Sequence, residues 1–275
     1  MSSAASLDTS GFPHSELERL ELEREDDLLW VRLADPKRAN AFSPKMIGEL
    51  SAVFSHPWRE HGVRALLLAA KGKNFSAGAD LGHLESLLTA GVEQNLEDSR
   101  GLRTLFESVL RQEALTVALV QGWCVAGGCG LATACDFVVA AENAHFMYSE
   151  VKIGFVPALV ATYLPLRLRG SQIRELLLNP EPLGAREALA MGLANRCVPD
   201  GELETTGREL AVEILTKASS QSIAHTKSLL LDNLGKDLDQ ALAAAVEANA
   251  FSRATDDCRR GITTFLETKK PPTWR

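Results

Sequence analysis

Two turns rich in small residues, and one glutamate beyond the second, are where this sequence places groups able to act on a substrate. The second turn lies within residues 116–150. An apolar run at 117–120 stops at Gln121-Gly122, as a buried strand does. Gly127-Gly128 then leads into a small-residue helical pattern at 130–134, and 137–141 is a second buried strand. Strand, glycine turn, helix start, strand is a βαβ unit. Glycines suit a place where the backbone is approached closely, since a Cβ there would block the approach. Main-chain N–H groups in such a turn, at a helix start, make a site for negative charge. The stretch ends on Glu150, the first carboxylate after Glu142.

The earlier turn, 71–80, follows the largely apolar run 63–70 and holds Gly78 between Ala77 and Ala79. The chain therefore goes twice from a buried strand into a glycine-bearing turn. Two such turns meeting in space can point two backbone N–H groups at one oxygen. Either turn alone is more simply a connection. Cys124 and Cys129 sit in the second turn, but no histidine lies at ligand spacing, so zinc is a poor reading. With Cys135, Cys197 and Cys258 they make an odd set without paired spacing, which fits reduced, buried thiols in a cytosolic protein.

The elements that must hold these turns can be read in order. Residues 17–24 and 28–33 alternate apolar with charged, as half-buried strands do, with Glu25-Asp26-Asp27 as the hairpin turn. Ser43-Pro44 caps and starts a helix carrying Met46, Leu50 and Phe54. Residues 81–111 read as helix with breaks at Gly91 and Gly101. Residues 151–158 form a loop entering a helix that ends near Arg169-Gly170, and 195–198 is a last short strand. From Glu202 onward the pattern is almost all helix, which predicts an α/β core over 17–200 and a helical assembly region over 201–275.

Composition narrows the class. A chain of 275 residues with a formal charge of −7 disfavours nucleic acid or an anionic membrane as the main partner. No segment reaches the ~18 uncharged residues of a membrane span; residues 159–168 are too few and are broken by Pro165. Residues 1–16 are Ser-rich without a basic region or apolar core, so a loose lead-in is expected rather than a signal peptide, and a cytoplasmic location with it.

Taken together, these motifs resemble the crotonase superfamily, the enoyl-CoA hydratase/isomerase family. The residues that carry the likeness are Asp35-Pro36-Lys37-Arg38-Ala39-Asn40-Ala41, Phe75-Ser76-Ala77-Gly78-Ala79-Asp80-Leu81 and Val125-Ala126-Gly127-Gly128-Cys129-Gly130-Leu131-Ala132 with Cys135-Asp136. Glu150 ahead of Gly154-Phe155-Val156-Pro157, and the ending Gly261-Ile262-Thr263-Thr264-Phe265-Leu266, complete the set. The resemblance implies a spiral of ββα turns and a C-terminal helical part that packs homotrimers, often as hexamers. It implies an acyl-CoA thioester held by the N–H groups of Ala79 and Gly127, each such donor worth ~3–4 kcal/mol to an enolate oxygen. It maps CoA and substrate contacts onto Lys37, Arg38, Ala41, Ala77, Asp80, Leu81, Gly128, Phe265 and Lys269. No metal and no redox cofactor is implied, CoA arriving with the substrate.

Many hydratases of this family use two glutamates; this chain has Gly130 at the first position and Glu150 at the second. Glu150 is therefore expected to work as the single acid/base, and restoring a carboxylate at 130 is expected either to aid hydration or to block the pocket. The Gly130 and Ser149-Glu150-Val151-Lys152-Ile153-Gly154 pattern resembles the branch that hydrates branched acyl-CoAs, methylglutaconyl-CoA among them. The expected reaction is addition of water to an enoyl-CoA double bond, or its removal. The rivals are a Δ3-Δ2 isomerase of the same fold, which needs only one carboxylate, and a catalytically idle scaffold or RNA-binding protein. The acyl-pocket walls are expected over 82–103 and 147–160; His83 lies on the first of these, where a solvated helix histidine is an equal reading, whereas His145 and His225 read as structural.

Overall fold

The computed structural model describes Phe12 and residues 17–275. The expected lead-in at 1–16 lies outside these residues except for Phe12, whose ring packs on Trp58 with centroids 5.5 Å apart. Strands β1 (Leu20–Glu25) and β2 (Leu28–Leu33) form an antiparallel hairpin. Helix α1 (Pro44–Ser55) is capped by Ser43, whose Oγ accepts from Met46 N at 3.3 Å. Then come β3 (Ala65–Ala70), α2 (Leu81–Leu88) and α3 (Val92–Arg111). The break falls at Gly91 as expected; Gly101 stays within α3.

The central stretch supplies β4 (Leu115–Val120), β5 (Trp123–Val125), α4 (Gly127–Ala134), β6 (Phe137–Ala141) and β7 (His145–Met147). After it run α5 (Ala158–Tyr163), α6 (Gly170–Leu178), β8 (Leu183–Gly184), α7 (Ala185–Met191) and β9 (Arg196–Val198). Four helices end the chain: α8 (Leu203–Lys217), α9 (Ser220–Asp232), α10 (Leu238–Ala254) and α11 (Asp256–Thr268).

The large sheet has the order β1-β2-β3-β4-β6-β9, parallel from β2 onward, and a smaller sheet has the order β5-β7-β8. Successive turns give one strand to the large sheet, one segment to the small one, then helix. The path is a spiral of ββα turns. Isolated parallel bridges extend the small sheet backward, Ser76 to Cys124 and Phe42 to Ala79. Segments from four successive turns therefore run side by side and leave at the same end, which is where ligands bind in open α/β sheets.

Alternation along the strands divides the core in two. Leu66, Leu68, Ala118 and Val120 face the small sheet and α1. Leu67, Ala69, Val117 and Leu119 face the other way, where Leu203, Leu210, Ala211 and Leu215 of α8 cover them. Burial on both faces explains why these strands are continuously apolar in sequence. Gly207 lets α8 lie directly on Leu119. The helical run from 201 thus does not stand apart as a whole, because its first helix completes the core. The tail is fastened too: Arg64 Nη1 donates to Trp274 O at 3.1 Å, and Arg275 pairs with Asp27 at 2.8 Å.

Candidate active site

The two glycine turns meet. Ser76 N donates to Trp123 O at 3.1 Å, and Val125 N donates to Ser76 O at 2.9 Å, so the first turn is zipped to the strand that leads into the second. Gly78 sits at φ +84°, and a Cβ there would lie 2.9 Å from Val125 O and 3.1 Å from Ala126 Cβ. Both the backbone angle and the space demand glycine. Phe42 N donates to Gly78 O at 2.7 Å, which turns the Ala79 N–H of that peptide the opposite way. Across the junction, Ala126 holds φ 48° at the N-cap of α4, an unusual angle for a residue with a side chain. Gly127 is the first residue of α4, where an N–H has no intrahelical partner. Among the described residues, neither the Ala79 nor the Gly127 N–H donates to another protein group.

Glu150 leaves the sheet beside them. Val125 pairs with Met147, and Ala126 N donates to Met147 O at 2.8 Å, so Gly127 and Glu150 emerge from the same end of a parallel pair. A 3₁₀ turn, Glu150–Ile153, closed by Gly154 at φ 75°, sets the glutamate at its start. Its Oε2 is buried and has no hydrogen-bond partner among the described residues. Burial pushes the Glu150 carboxyl above the ordinary glutamate range, with a smaller opposing effect from its own backbone N–H. A desolvated carboxyl with one oxygen lacking a partner is poised to exchange a proton rather than to hold an ion pair.

The place of a second glutamate is filled. A Cβ added to Gly130 would lie 2.7 Å from both Phe106 Cζ and Val160 Cγ1. Tyr163 OH donates to Gly130 O at 2.9 Å, and its ring meets Phe106 edge-on with centroids 5.8 Å apart. Helices α3 and α5 thus wall off position 130. Of the two expectations for a carboxylate at 130, this apolar wall supports the blocked pocket over aided hydration.

The remaining residues fall into groups. Lys37 and Arg38 are exposed on the 3₁₀ turn Pro36–Arg38, and this loop joins the first glycine turn through Ala77 N to Ala39 O at 2.9 Å. Ala41 is half-buried and Ala77 exposed on that same junction. Asp80 caps α2, its Oδ1 accepting from His83 N at 3.0 Å, so its carboxylate is already engaged. Leu81, two residues after Ala79, is 80% exposed, an apolar surface open to a ligand. Gly128 is buried against Ser76. Phe265 and Lys269 are exposed on and just after α11, which packs on α9 and α10. Within one chain the structure does not gather them with the glycine turns.

His83 is half-buried and bonded to Asp98 at 2.6 Å, joining α2 to α3. His145 lies against Trp123, and His225 is exposed on α9. All the cysteines are free thiols; Cys124, Cys129 and Cys135 are buried, and among the described residues no cluster fit for a metal occurs. Asp136 of the Cys135-Asp136 motif is structural, accepting from Thr116 N at 2.8 Å and pairing with Lys227 at 2.6 Å. A groove of about 640 Å³ beside Arg167, Lys227 and Leu230 lies at the far end of α4 and includes none of Ala79, Gly127 or Glu150. Val160 ends the stretch expected as pocket wall; sequence reasoning gave no role to Ser76, Phe106 and Tyr163. Of these only Ser76 lay inside a motif.

A family model described as enoyl-CoA hydratase/isomerase matches residues 23–275. The chain belongs to this family. A Thermus thermophilus protein of enoyl-CoA hydratase type is 43% identical over 88% of this chain and 95% of its own. The short-chain-enoyl-CoA hydratase of Clostridium acetobutylicum is 31% identical over 93% and 97%. An enoyl-CoA hydratase structure from Shewanella pealeana superposes with a TM-score of 0.86, at 30% identity over 95% of this chain and 97% of that one. The family, the crotonase fold and the C-terminal helices agree with what the sequence led one to expect. Among the described residues no helix is long and apolar enough to cross a membrane.

Proposed function

We propose that this enoyl-CoA hydratase/isomerase family member is a hydro-lyase that adds water across the α,β double bond of an enoyl-CoA, with Glu150 as its acid/base. The thioester oxygen accepts hydrogen bonds from the N–H groups of Ala79 and Gly127. Glu150 takes a proton from water as its oxygen bonds to the β carbon, and the electron pair moves to the thioester oxygen as an enolate. Glu150 then returns the proton to the α carbon, so that one water is added in all. What supports this reading is that two N–H groups without partners lie on abutting turns, at the same sheet end as a buried carboxyl oxygen that also has none. Donors fixed in place before the reaction stabilise developing charge without reorganising. CoA is held as part of the substrate, with Lys37, Arg38 and the exposed Leu81 beside the first turn; no further cofactor enters the scheme.

One observation favours the isomerase as a second reading. The wall of Phe106 and Val160 at Gly130 leaves a single carboxylate, enough to carry a proton between the α and γ carbons. A panel of short, branched and aromatic 2-enoyl-CoAs and 3-enoyl-CoAs distinguishes them, read at the thioester-conjugated double bond. Loss of that absorbance with 2-enoyl substrates supports hydration; its appearance from 3-enoyl substrates alone supports isomerisation. The branched members test the likeness to methylglutaconyl-CoA hydratases. Neither outcome in any member would sink the enzyme reading and favour a scaffold.

Assembly belongs to the same proposal. Leu238, Leu242, Val246 and Phe251 on α10, with Ile262, Phe265 and Leu266 on α11, are more than half exposed. Large apolar side chains exposed together on two adjoining helices are the mark of an interaction surface. We assign it to contacts between copies in a trimer or hexamer, which would bring Phe265 and Lys269 to the CoA of an adjoining subunit.

A further inference from the structure

We infer that Ser76 is a positioning residue that holds the two oxyanion donors in register. It is fully buried and sits between the turns. Its Oγ donates to Asn40 O at 2.8 Å and accepts from Gly78 N at 3.2 Å. Its hydroxyl therefore uses its one proton on the 35–41 loop and a lone pair on the first glycine turn. Its backbone bonds to Trp123 and Val125 tie it to the strand that ends at the second turn. Its side chain also props that turn directly: a Cβ on Gly128 would meet Ser76 Cβ at 2.8 Å and Oγ at 3.1 Å. One small side chain thus touches the peptide next to Ala79 on one side and the residue after Gly127 on the other.

The consequence is specific to charge on the thioester oxygen. The peptide that carries the Ala79 N–H is held at its carbonyl by Phe42 N, and the preceding peptide is held at its N–H by Ser76 Oγ. Without the hydroxyl, Gly78 N and Asn40 O both lose a buried partner, and the turn can rotate about Gly78, whose glycine φ is permissive. Asn40 does not replace it, because its side chain is committed to Asp35 N at 2.9 Å and to Lys71 O and Asn74 O at 3.0 Å each. The Ala79 N–H would then be less well aimed while the CoA contacts, which lie on other groups, persist.

This inference rests on the oxyanion role of Ala79 and Gly127, and the test separates the two. Acetoacetyl-CoA is the probe, since its enolate absorbs in the near ultraviolet and its neutral form does not. Bound to the intact full-length protein, it should show an apparent enolisation pKa lower than in free solution. Ser76→Ala should raise that bound pKa by about one unit, a tenfold loss of enolate stabilisation, and lower kcat by about 10–100-fold. KM and the affinity for CoA itself should stay within about threefold of the parent protein. A Ser76→Ala protein with an unchanged enolate pKa, or one that loses CoA affinity in equal measure, overturns the role of Ser76. No enolate stabilisation by the parent protein overturns the oxyanion reading instead. If Ser76→Ala does not fold, Ser76→Cys, a poorer acceptor, decides the matter: an enolate pKa equal to the parent's contradicts the proposal, and a raised one supports it.

Discussion

At the scale of single residues the chemistry turns on Glu150. Because burial raises its pKa, the carboxylate form needed to take a proton from water is lost as pH falls through a value above the ordinary glutamate range. The acid limb of kcat/KM for hydration should therefore lie above that range and vanish in Glu150→Gln, which a pH-rate profile of both proteins checks. The same shift has a stability sign. A carboxyl whose folded pKa is raised stabilises the fold below its unfolded pKa and loses that contribution as pH rises through the folded value. Glu150→Gln should thus melt no lower than the parent at neutral pH, and any advantage should shrink as pH falls through the folded value and be gone below the ordinary glutamate range. A clear drop in Tm at neutral pH would show that the carboxylate has a stabilising partner instead.

At the scale of elements, position 130 is the sharpest case. Phe106 from α3 and Val160 from α5 occupy the space a side chain there would need, and both are buried. Gly130→Glu should lower stability by at least ~1–3 kcal/mol, the usual cost of overpacking a filled core, and add no hydration activity. Chemical denaturation and the crotonyl-CoA assay read the two parts; a folded, faster variant would refute the wall. The departure at Gly130 was legible in the sequence, but its meaning was not, because the filling side chains come from distant helices and follow no local period. The same holds for β5 and β7, three-residue strands too short for alternation to register. Long buried strands such as β3 and β4, and the capped α1, were legible because burial on two faces and a Ser-Pro start leave a local trace. The meeting of the glycine turns was foreseen only as a geometric option; the Ser76–Cys124 bridge is what realises it.

At the scale of the whole molecule, the change from strands to helices near residue 200 was visible, but the role of α8 was not. Its residues Leu203, Leu210 and Leu215 belong to the sheet's second core, and an amphipathic pattern does not say which neighbour it serves. Unpartnered apolar faces belong instead to α10 and α11. Light scattering should give a trimer or hexamer, and Leu242→Glu, which places charge on the exposed face of α10, should shift it toward monomer. A fully active monomer at micromolar concentration would contradict the assembly claim. Truncation after Arg260 is a poor test of the shared site, because it also removes the bonds of Trp274 and Arg275 to Arg64 and Asp27. Phe265→Ala and Lys269→Ala leave that tail in place, and each should raise KM for CoA esters several-fold with little change in secondary structure. A trimer with unchanged KM would remove only the shared-site claim.

The most direct test of the central claim is turnover of an enoyl-CoA by Glu150→Gln. The substitution keeps size and hydrogen bonding but ends proton exchange at a group whose Oε2 has no partner in the fold. Hydration measured at saturating crotonyl-CoA, or at the best member of the enoyl-CoA panel, should fall by about 10²–10⁴-fold. Binding of the saturated acyl-CoA should be unchanged. Turnover equal to the parent protein, with binding intact, would contradict the assignment of Glu150 as the acid/base.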